Sequence, residues 1–414
     1  MTTMIRIGLM LLFAVVTCSP VRPGTPAVEQ LKNPLTVIAI GDAGENSGLL
    51  RACGTYVTNM HTGAHDGGKF QVLLFLGSNF YPIGLNIPPD DIEGEVQSVL
   101  EPFKAPLEDL GPDHVHALAG NHDYYARYAI EKSVLLGLIK IEEAPTGLSD
   151  RGNRREASMK EWTYHYGMPA EAVFPLADGS ADSVLFLFYD SALPLRTPER
   201  LWTPALDSLR RLLEHDRYRP HIIWRIFCAH HPLASAGEHA GFTLWNDETN
   251  TVDYLTTCDR DSNALAWLEN SFDPEDLCTD RYQAYIDSLR TILGSSGVPF
   301  QLALSAHEHS LELVKIPRSR FGDALPRIQV ISGASAMVGK VRLPEVPSVY
   351  SSARKSPSDK GESIPGFVQL RFETDRLRIV FYDSDNGDRI DMGGGAEVFY
   401  IDRWGELLPG RKSN

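Results

Sequence analysis

Seven short apolar runs recur along the chain, and most of them end at a small residue followed by a polar or ionisable one. They are LTVIAI before GDAG, FQVLLFL before GSNFY, HVHALA before GNHDYY, SVLFLFYDS, IIWRIFC before AHHPL, FQLALS before AHEHS, and RIQVIS before GASA. Nearly continuous apolar runs of this length are typical of strands buried on both faces. Helical patterns lie between several of them, so the sequence predicts an α/β sandwich.

Two stretches between these runs have apolar residues at helical spacing. The shared faces are Leu206, Leu209, Leu212 and Leu213 in PALDSLRRLLEHDRY, and Tyr285, Ile286, Leu289, Ile292 and Leu293 in DRYQAYIDSLRTILGSSG. We expect Gly294 to end the second helix. Near the carboxyl terminus, GFVQLRFETDRLRIVFYDSDNGDRI alternates polar and apolar residues around a turn, which predicts a β-hairpin or meander covering an edge of a sheet.

The composition is that of a globular protein. The chain has 414 residues, of which 43% are hydrophobic and 22% charged, enough for one large domain or two ordinary ones. Its formal net charge of -15 argues against a nucleic-acid partner, which would require a basic face. A small phosphorylated substrate remains compatible with this charge, because a local metal site can override the global field.

Residues 1–18 have the form of a secretory signal: Arg6 precedes an apolar stretch, and Cys18 follows it. VVTC before SP resembles a bacterial lipoprotein box with Cys18 as the lipidated residue, although Thr17 stands where that pattern favours a smaller residue. Lipoprotein, cleaved soluble export and a retained anchor stay open. We therefore expect an exported protein, either periplasmic or anchored to a bacterial membrane through a lipid on Cys18, or alternatively secreted.

The remaining organisation is simple. A Pro-rich tether is expected at 19–33, one domain at 34–400 with an acidic insertion at about 242–280, and a tail at 401–414. Four further cysteines allow three disulfide connectivities: Cys53, Cys228, Cys258 and Cys278. Cys258 and Cys278 share one polar segment and are the favoured pair, whereas Cys228 lies in an apolar run and is expected to be buried.

The residues that follow the apolar runs carry the chemistry. In open α/β sheets, ligands bind beyond the carboxyl ends of the strands. The runs are followed by Asp42, by Ser78 and Tyr81, by Asn121 and His122, by His230, and by His307 and His309. Acid, phenol, amide and imidazole groups form a ligand set for a hard or borderline metal ion. One such residue alone would indicate a turn or a structural histidine, but their joint occurrence predicts a metal site.

The motifs GDAG, GxNFY, GNHD, xHxP and xHxH, in this order over about residues 34–395, resemble those of the calcineurin-like metallophosphoesterases. GDAG and the tyrosine after the second motif resemble the purple acid phosphatase branch, and AHHPLASAGEHAG with GSNFYPIG resembles its small tartrate-resistant type. The resemblance implies a four-layer α/β/β/α sandwich with two mixed sheets. It also implies hydrolysis of phosphate monoesters, under acidic to neutral conditions, by a metal-bound hydroxide at a dinuclear centre.

The resemblance also implies roles for individual residues. One metal would take Asp42, Tyr81 and His309, and the second would take Asn121, His230 and His307. Asn121 would in addition face the phosphate, and His122 would protonate the leaving oxygen. A Tyr81 phenolate suits Fe(III) in the first position, while imidazoles and an amide suit Fe(II), Zn(II) or Mn(II) in the second.

Ser78 departs from this pattern, because the family places there an acid that bridges both metals. Two divalent ions ~3.5 Å apart repel by roughly 19 kcal/mol at an effective dielectric near 20, and bridging anions offset that repulsion. No acid nearby in the sequence substitutes. Three hypotheses follow: an active dinuclear phosphoesterase with an unusual bridge, a mononuclear or weak hydrolase, and a non-catalytic protein that binds phosphoester ligands.

For three residues next to these motifs, the sequence allows two alternative roles. Asp123 either orients His122 or caps the following turn. His231 and His239 either line a substrate pocket or lie in a solvent-facing loop.

Overall fold

The computed structural model describes residues 31–64, 68–82, 84, 92–124, 162–197, 199–239, 243–246, 251–254, 275–277, 279–316, 324–344, 348–354 and 361–408. The predicted export signal with Cys18, the cysteines Cys258 and Cys278, and most of the predicted insertion lie outside these residues.

Sixteen strands are found among the described residues. They are β1 (Thr36–Ile40), β2 (Val72–Phe75), β3 (Val115–Leu118), β4 (Thr163–His165), β5 (Ala170–Pro175), β6 (Ser183–Tyr189), β7 (Ile222–Ala229), β8 (Thr243–Asn246), β9 (Thr251–Tyr254), β10 (Leu302–Ser305), β11 (Leu311–Lys315), β12 (Ile328–Ser332), β13 (Val349–Ser351), β14 (Gly366–Phe372), β15 (Arg376–Asp383) and β16 (Val398–Asp402). All seven apolar runs form strands, namely β1, β2, β3, β6, β7, β10 and β12.

The described residues also form six α-helices. They are α1 (Gly48–Thr62), α2 (Ile92–Leu100), α3 (Lys104–Leu110), α4 (Ala192–Arg196), α5 (Glu199–Asp216) and α6 (Asp280–Ser296), together with two single-turn 3-10 helices at Glu101–Phe103 and His122–Tyr124. None of these helices is long and apolar enough to cross a membrane.

Two mixed sheets of seven strands each organise the fold. The first has the order β16-β15-β14-β1-β2-β3-β4, in which β1 to β4 pair in parallel and β14 to β16 antiparallel. The second has the order β13-β11-β12-β10-β7-β6-β5, with a parallel centre of β12, β10, β7 and β6. Strands β8 and β9 form a separate hairpin.

The apolar core explains why the sheets stack. One buried cluster joins the inner faces of both sheets, with Val37 and Leu370 from the first and Phe186 and Leu304 from the second. A second cluster packs the outer face of the second sheet under α5 and α6, and a third packs that of the first sheet under α1, α2 and α3. Helices outside two facing sheets give the predicted four-layer α/β/β/α sandwich.

Local predictions are confirmed with one correction. Leu206, Leu209 and Leu213 are buried on α5. Strands β14 and β15 form an antiparallel hairpin that β16 extends into a meander, and β16 is the edge strand of the first sheet. Gly294 does not end α6: the helix continues to Ser296, and Gly297 follows in the left-handed conformation with φ of 66°. A glycine inside a helix is tolerated at a modest cost, whereas the left-handed position after the last turn specifically favours glycine.

Cys228 is buried and unpaired, as its apolar run predicts, and Cys53 is likewise buried and free.

Candidate metal centre

The predicted ligands meet at one edge of the sandwich, because the parallel strands of both sheets present their carboxyl ends there. Asp42, Ser78 and Asn121 follow β1, β2 and β3 of the first sheet. His230 follows β7, and His307 follows β10 of the second. The two-sheet arrangement therefore assembles residues from distant parts of the sequence into one site.

The first cluster consists of Asp42, Tyr81 and His309. The Tyr81 hydroxyl donates to Asp42 Oδ1 at 2.9 Å and lies 3.0 Å from His309 Nε2. His309 Nε2 is also 3.7 Å from Asp42 Oδ1, and the His307 backbone N–H donates to Asp42 Oδ2 at 2.7 Å. This is the trio that the resemblance implies for one metal.

The second cluster consists of Ser78, Asn121 and His230. Ser78 Oγ donates to Asn121 Oδ1 at 2.8 Å and lies 3.0 Å from His230 Nε2, which is itself 2.9 Å from Asn121 Oδ1. Asp42 Oδ1, at 4.0 Å from His230 Nε2, connects the two clusters. Ser78, at the position where the family pattern would have a bridging acid, therefore lies within hydrogen-bond distance of two members of this cluster.

The hydrogen bonds around the second cluster leave two acceptor atoms, His230 Nε2 and Asn121 Oδ1, facing each other. His230 Nδ1 lies 2.9 Å from the Leu76 carbonyl, which accepts its N–H and leaves Nε2 without a proton on the neutral ring. Asn121 Nδ2 donates to Glu275 Oε2 at 2.9 Å, which turns Oδ1 toward His230. The single Ser78 proton can satisfy only one of the two facing acceptors. A cation would satisfy both, and the outer hydrogen bonds are of the kind that orient metal ligands.

Backbone strain is concentrated at this edge. Asp42, Ser78, His307 and His309 have φ values of 52°, 53°, 74° and 44°, and Asn33 is the other non-glycine residue with positive φ in the described part of the chain. Non-glycine residues in this region cost of order 1–3 kcal/mol each and cluster at functional sites. The strain indicates that the surrounding structure holds these four side chains in place.

Two motif glycines permit this close packing. A Cβ on Gly44 of GDAG would lie 2.5 Å from the Phe80 backbone nitrogen. Gly77, with φ of 103°, would place a Cβ 2.5 Å from His230 Nδ1. These glycines let the loops after β1 and β2 touch each other and the His230 ring.

The site is electrostatically poised for a cation. Burial raises the pKa of Asp42 to about 8, although the Tyr81 hydroxyl and the His307 amide oppose the shift. Burial, and then the neighbouring Asp42, raise the pKa of Tyr81 well above its ordinary value. Burial lowers the pKa of both His230 and His307, which keeps these imidazoles neutral. A nearby cation stabilises the ionised forms of Asp42 and Tyr81, and it binds imidazoles only in their neutral form. The protonation states that a bound cation requires are therefore compatible with these groups.

His122 lies beside the first cluster. Its ring centroid is 3.9 Å from that of Tyr81, and Nδ1 lies 2.7 Å from the Pro82 carbonyl, which accepts a hydrogen bond from the Nδ1–H group. Burial is the main cause that lowers the pKa of His122 to about 4. Nε2 is therefore the ring atom left to exchange a proton with a ligand.

Asp123 ties the loops of the site together. Its carboxylate accepts backbone N–H groups from Gly120 at 2.7 Å, Asn79 at 2.9 Å and Phe80 at 3.1 Å. These bonds anchor the turn before Asp123 and the loop after β2. They involve neither His122 nor the turn that follows, so they support neither of the two interpretations that the sequence allows.

The fold adds a carboxylate that the sequence did not reveal. Glu275, from the segment predicted to be a surface insertion, is buried at 2% exposure and accepts hydrogen bonds from the Arg196 guanidinium through both of its oxygens. Burial alone would raise the pKa of Glu275, but His231 and Arg196 together hold it below its ordinary value. An ionised acid therefore lies next to the second cluster. Its sequence context carries no signal of this role.

His231 and His239 do not form a solvent-facing loop pair. His231 is fully buried, and its ring centroid lies 4.4 Å from that of His307. His239 is half-buried with its ring 4.5 Å from His307. One ring nitrogen from each of His230, His231 and His307 falls within 4.8 Å of the others, a grouping that can hold a metal ion.

Known proteins resemble this chain in shape but only weakly in sequence. No protein-family profile matches the chain, and no curated protein matches it. Among solved structures it is similar to GAP50, the anchor in the inner membrane complex of Plasmodium, with a TM-score of 0.49 and 14% identity over 87% of this chain and 89% of that one.

Two phosphatase structures are similar at the same level. A purple acid phosphatase from yellow lupin (Lupinus luteus) seeds has a TM-score of 0.44 and 12% identity over 90% of this chain and 54% of that one. A dimetal phosphatase from Danio rerio has a TM-score of 0.42 and 13% identity over 90% of this chain and 100% of that one. All three TM-scores lie below 0.5, so the fold assignment rests on the chain's own sheets and helices. Those form two mixed sheets in an α/β arrangement consistent with a calcineurin-like phosphoesterase sandwich.

Proposed function

We propose that this protein is a metal-dependent phosphoesterase that hydrolyses phosphate monoesters, with two metal ions at the two clusters. The observation that carries the proposal is the pair of facing lone pairs on His230 Nε2 and Asn121 Oδ1, 2.9 Å apart and beside the buried Asp42. Two acceptors held toward each other in a buried site are accounted for by a bound cation. The Tyr81 phenol suits Fe(III) in the first cluster, and the amide and imidazoles suit Fe(II), Zn(II) or Mn(II) in the second.

Bound metal ions would supply positive charge for the phosphoryl oxygens and lower the pKa of an attacking water. The protein's own groups do the rest. Asp42 joins the clusters, and the hydrogen bond from Asn121 to Glu275 fixes the amide that faces the phosphoryl group. His122, with its Nδ1 proton held by Pro82, presents Nε2 to the leaving oxygen. Because Nδ1 keeps its own proton, His122 must be the imidazolium when the ester bond breaks, and the leaving oxygen then takes the Nε2 proton and returns the ring to its neutral form.

The wider setting is part of the proposal. The substrate is a small phosphorylated molecule rather than a nucleic acid, in keeping with the net charge of -15. The protein is exported, with a lipid on Cys18 as the proposed membrane attachment, as the residues before and around Cys18 suggest.

A second candidate function is phosphoester binding without turnover. It is favoured by Ser78, which places a neutral hydroxyl 2.8 Å from Asn121 Oδ1 and 3.0 Å from His230 Nε2, where a bridging acid would carry a negative charge. A metal pair without that charge is held less strongly.

The deciding experiment is hydrolysis of an aryl phosphate by the natural chain, reconstituted with iron plus zinc or manganese, beside Ser78→Asp. An exposed serine changed in the same way, Ser348→Asp, is the matched control. Turnover by the natural chain that His122→Ala reduces by about 100-fold or more supports the phosphoesterase, since a positioned general acid contributes about that much.

The other two outcomes are equally clear. A silent natural chain with an active Ser78→Asp variant identifies the binding protein. Silence of both, with metal bound, rules out phosphate monoester hydrolysis.

A further inference from the structure

We propose that His231 is a metal ligand, so that the second cluster binds its ion through the three imidazoles of His230, His231 and His307 together with Asn121 Oδ1, with Glu275 as the adjacent carboxylate. The inference rests on the proposed function in placing a metal ion at this cluster. It differs from the set of Asn121, His230 and His307 that the resemblance implies, because it adds an imidazole and a carboxylate from outside the motif ligands.

The geometry of the three rings supports a shared ion. Their centroids are 4.4 Å apart for His231 and His307, 4.9 Å for His230 and His231, and 5.3 Å for His230 and His307. One nitrogen from each lies within 4.8 Å of the others. Nitrogens bound to one tetrahedral zinc lie about 3.3 Å apart, so side-chain shifts of about 1–1.5 Å complete the site.

Two of the imidazoles have a buried nitrogen without a hydrogen bond. Among the described residues, His231 Nε2 and His307 Nε2 make no hydrogen bond, although both rings are buried, at 0% and 5% exposure. Glu275 Oε1 lies 3.4 Å from His231 Nε2, which is an ion-pair distance. An unpaired buried polar atom costs about 1–3 kcal/mol. A shared cation removes both costs at once.

The outer contacts of His231 are those of an oriented ligand. Its Nδ1 lies 2.8 Å from Ser191 Oγ, and Ser191 Oγ also accepts the His231 backbone N–H at 3.0 Å. Such a bond at one ring nitrogen fixes the ring and aims the other at a metal. Both His231 and His230 therefore have an oxygen within hydrogen-bond distance of Nδ1: Ser191 Oγ for His231 and the Leu76 carbonyl for His230.

Glu275 supplies the charge that Ser78 lacks. Its Oε1 lies 3.4 Å from His231 Nε2, its Oε2 accepts from Asn121, and Arg196 fixes both oxygens. Three imidazoles with a nearby carboxylate form a donor set that suits Zn(II). Glu275 contacts Nδ2 of the Asn121 amide, whereas Ser78 contacts its Oδ1.

The test is zinc affinity of the metal-free full-length chain, measured by competition with a chelating dye. We expect His231→Gln to weaken binding by more than about 100-fold and Glu275→Gln by about 10–100-fold, as for a residue behind the first ligands. His239→Gln is the matched control: its ring lies 4.5 Å from His307 but outside the three-nitrogen group, so its affinity should stay within about threefold of the natural value.

A second measurement is independent of affinity. His231→Cys loaded with Co(II) should show a sulfur-to-cobalt charge-transfer band in the near ultraviolet, which appears only when the thiolate binds the ion directly. This measurement uses a different variant, so it still tests the proposal if His231→Gln folds poorly.

The outcomes separate the two proposals. If the natural chain binds zinc, His231→Gln binds it equally well and His231→Cys shows no band, then His231 is not a ligand and the phosphoesterase proposal stands. If the natural chain binds neither zinc, iron nor manganese, the proposed function fails and this inference with it.

Discussion

At the scale of the residue, Gly44 shows how tightly the loops of the metal centre approach. A Cβ there would meet the backbone of Ser78, Asn79 and Phe80 at 2.5–2.7 Å, and backbone atoms cannot rotate away. We therefore expect Gly44→Ala to lower the free energy of unfolding by about 1–3 kcal/mol, as overpacking does. Urea unfolding measures this.

The matched control for that prediction is Gly48→Ala, since nothing lies within 4 Å of the Cβ position at Gly48. Its unfolding free energy should stay within about 0.5 kcal/mol of the natural value. Equal stability of the two variants would show that the loops are not packed as described.

Ser78 is the residue at which sequence and structure inform each other most. The family pattern that the motifs resemble would have an acid at this position, and the sequence offered no compensating group. The structure brings Glu275 to Asn121, which is 154 residues away along the chain. Local sequence patterns indicate whether a residue is buried or lies in a turn. The tertiary packing determines which residue becomes the hydrogen-bond partner of a buried polar group.

At the scale of the element, α6 ends where its backbone can leave the helix. Gly297 has φ of 66°, and the nearest atom to its Cβ position is Arg217 Nη2 at 3.8 Å, so conformation rather than space limits substitution. We expect Gly297→Ala to lower the free energy of unfolding by about 1–2 kcal/mol. Gly297→Asn should lose less, because asparagine tolerates this conformation.

Thermal and urea unfolding of both variants check this prediction. An alanine variant as stable as the natural chain would mean that the helix does not end at Gly297. The error of assigning the end to Gly294 has a physical origin: two glycines three residues apart both interrupt the pattern, and only the tertiary contacts of the last turn, such as the bond from Arg217 Nε to the Ser296 carbonyl at 2.9 Å, select the second.

At the scale of the whole molecule, a buried histidine pair makes stability depend on pH. His116 Nδ1 lies 3.0 Å from His165 Nε2 between β3 and β4, and both rings pack on Phe188. Burial is the main cause that lowers the pKa of His116 to about 4, with His114 adding to the shift and Asp113 opposing it. Burial and the neighbouring His116 lower the pKa of His165 to about 3.

The sign follows from proton binding. Near pH 5 the unfolded chain holds protons on these histidines that the folded chain does not, so acid favours unfolding. We expect the free energy of unfolding to fall between pH 6.5 and about 4, by at most about 1.4 kcal/mol per pH unit for each ring. His116→Gln/His165→Gln should flatten this part of the stability profile in urea unfolding. An unchanged slope would assign the acid sensitivity to other groups.

The sequence by itself determined the strands, the sandwich and the motif residues of the site. Apolar runs and the polar residues directly after them are local features, and parallel strands bring those residues to one edge whatever the connections are. Tertiary structure alone decided which other groups lie beside these motif residues. The burial of His231 against His307, the approach of Glu275 with Arg196, and the use of Asp123 as a loop anchor all depend on contacts between distant segments. A buried polar atom needs a hydrogen-bond partner, and packing decides which distant residue supplies it. The pattern of apolar residues along the sequence does not identify that residue.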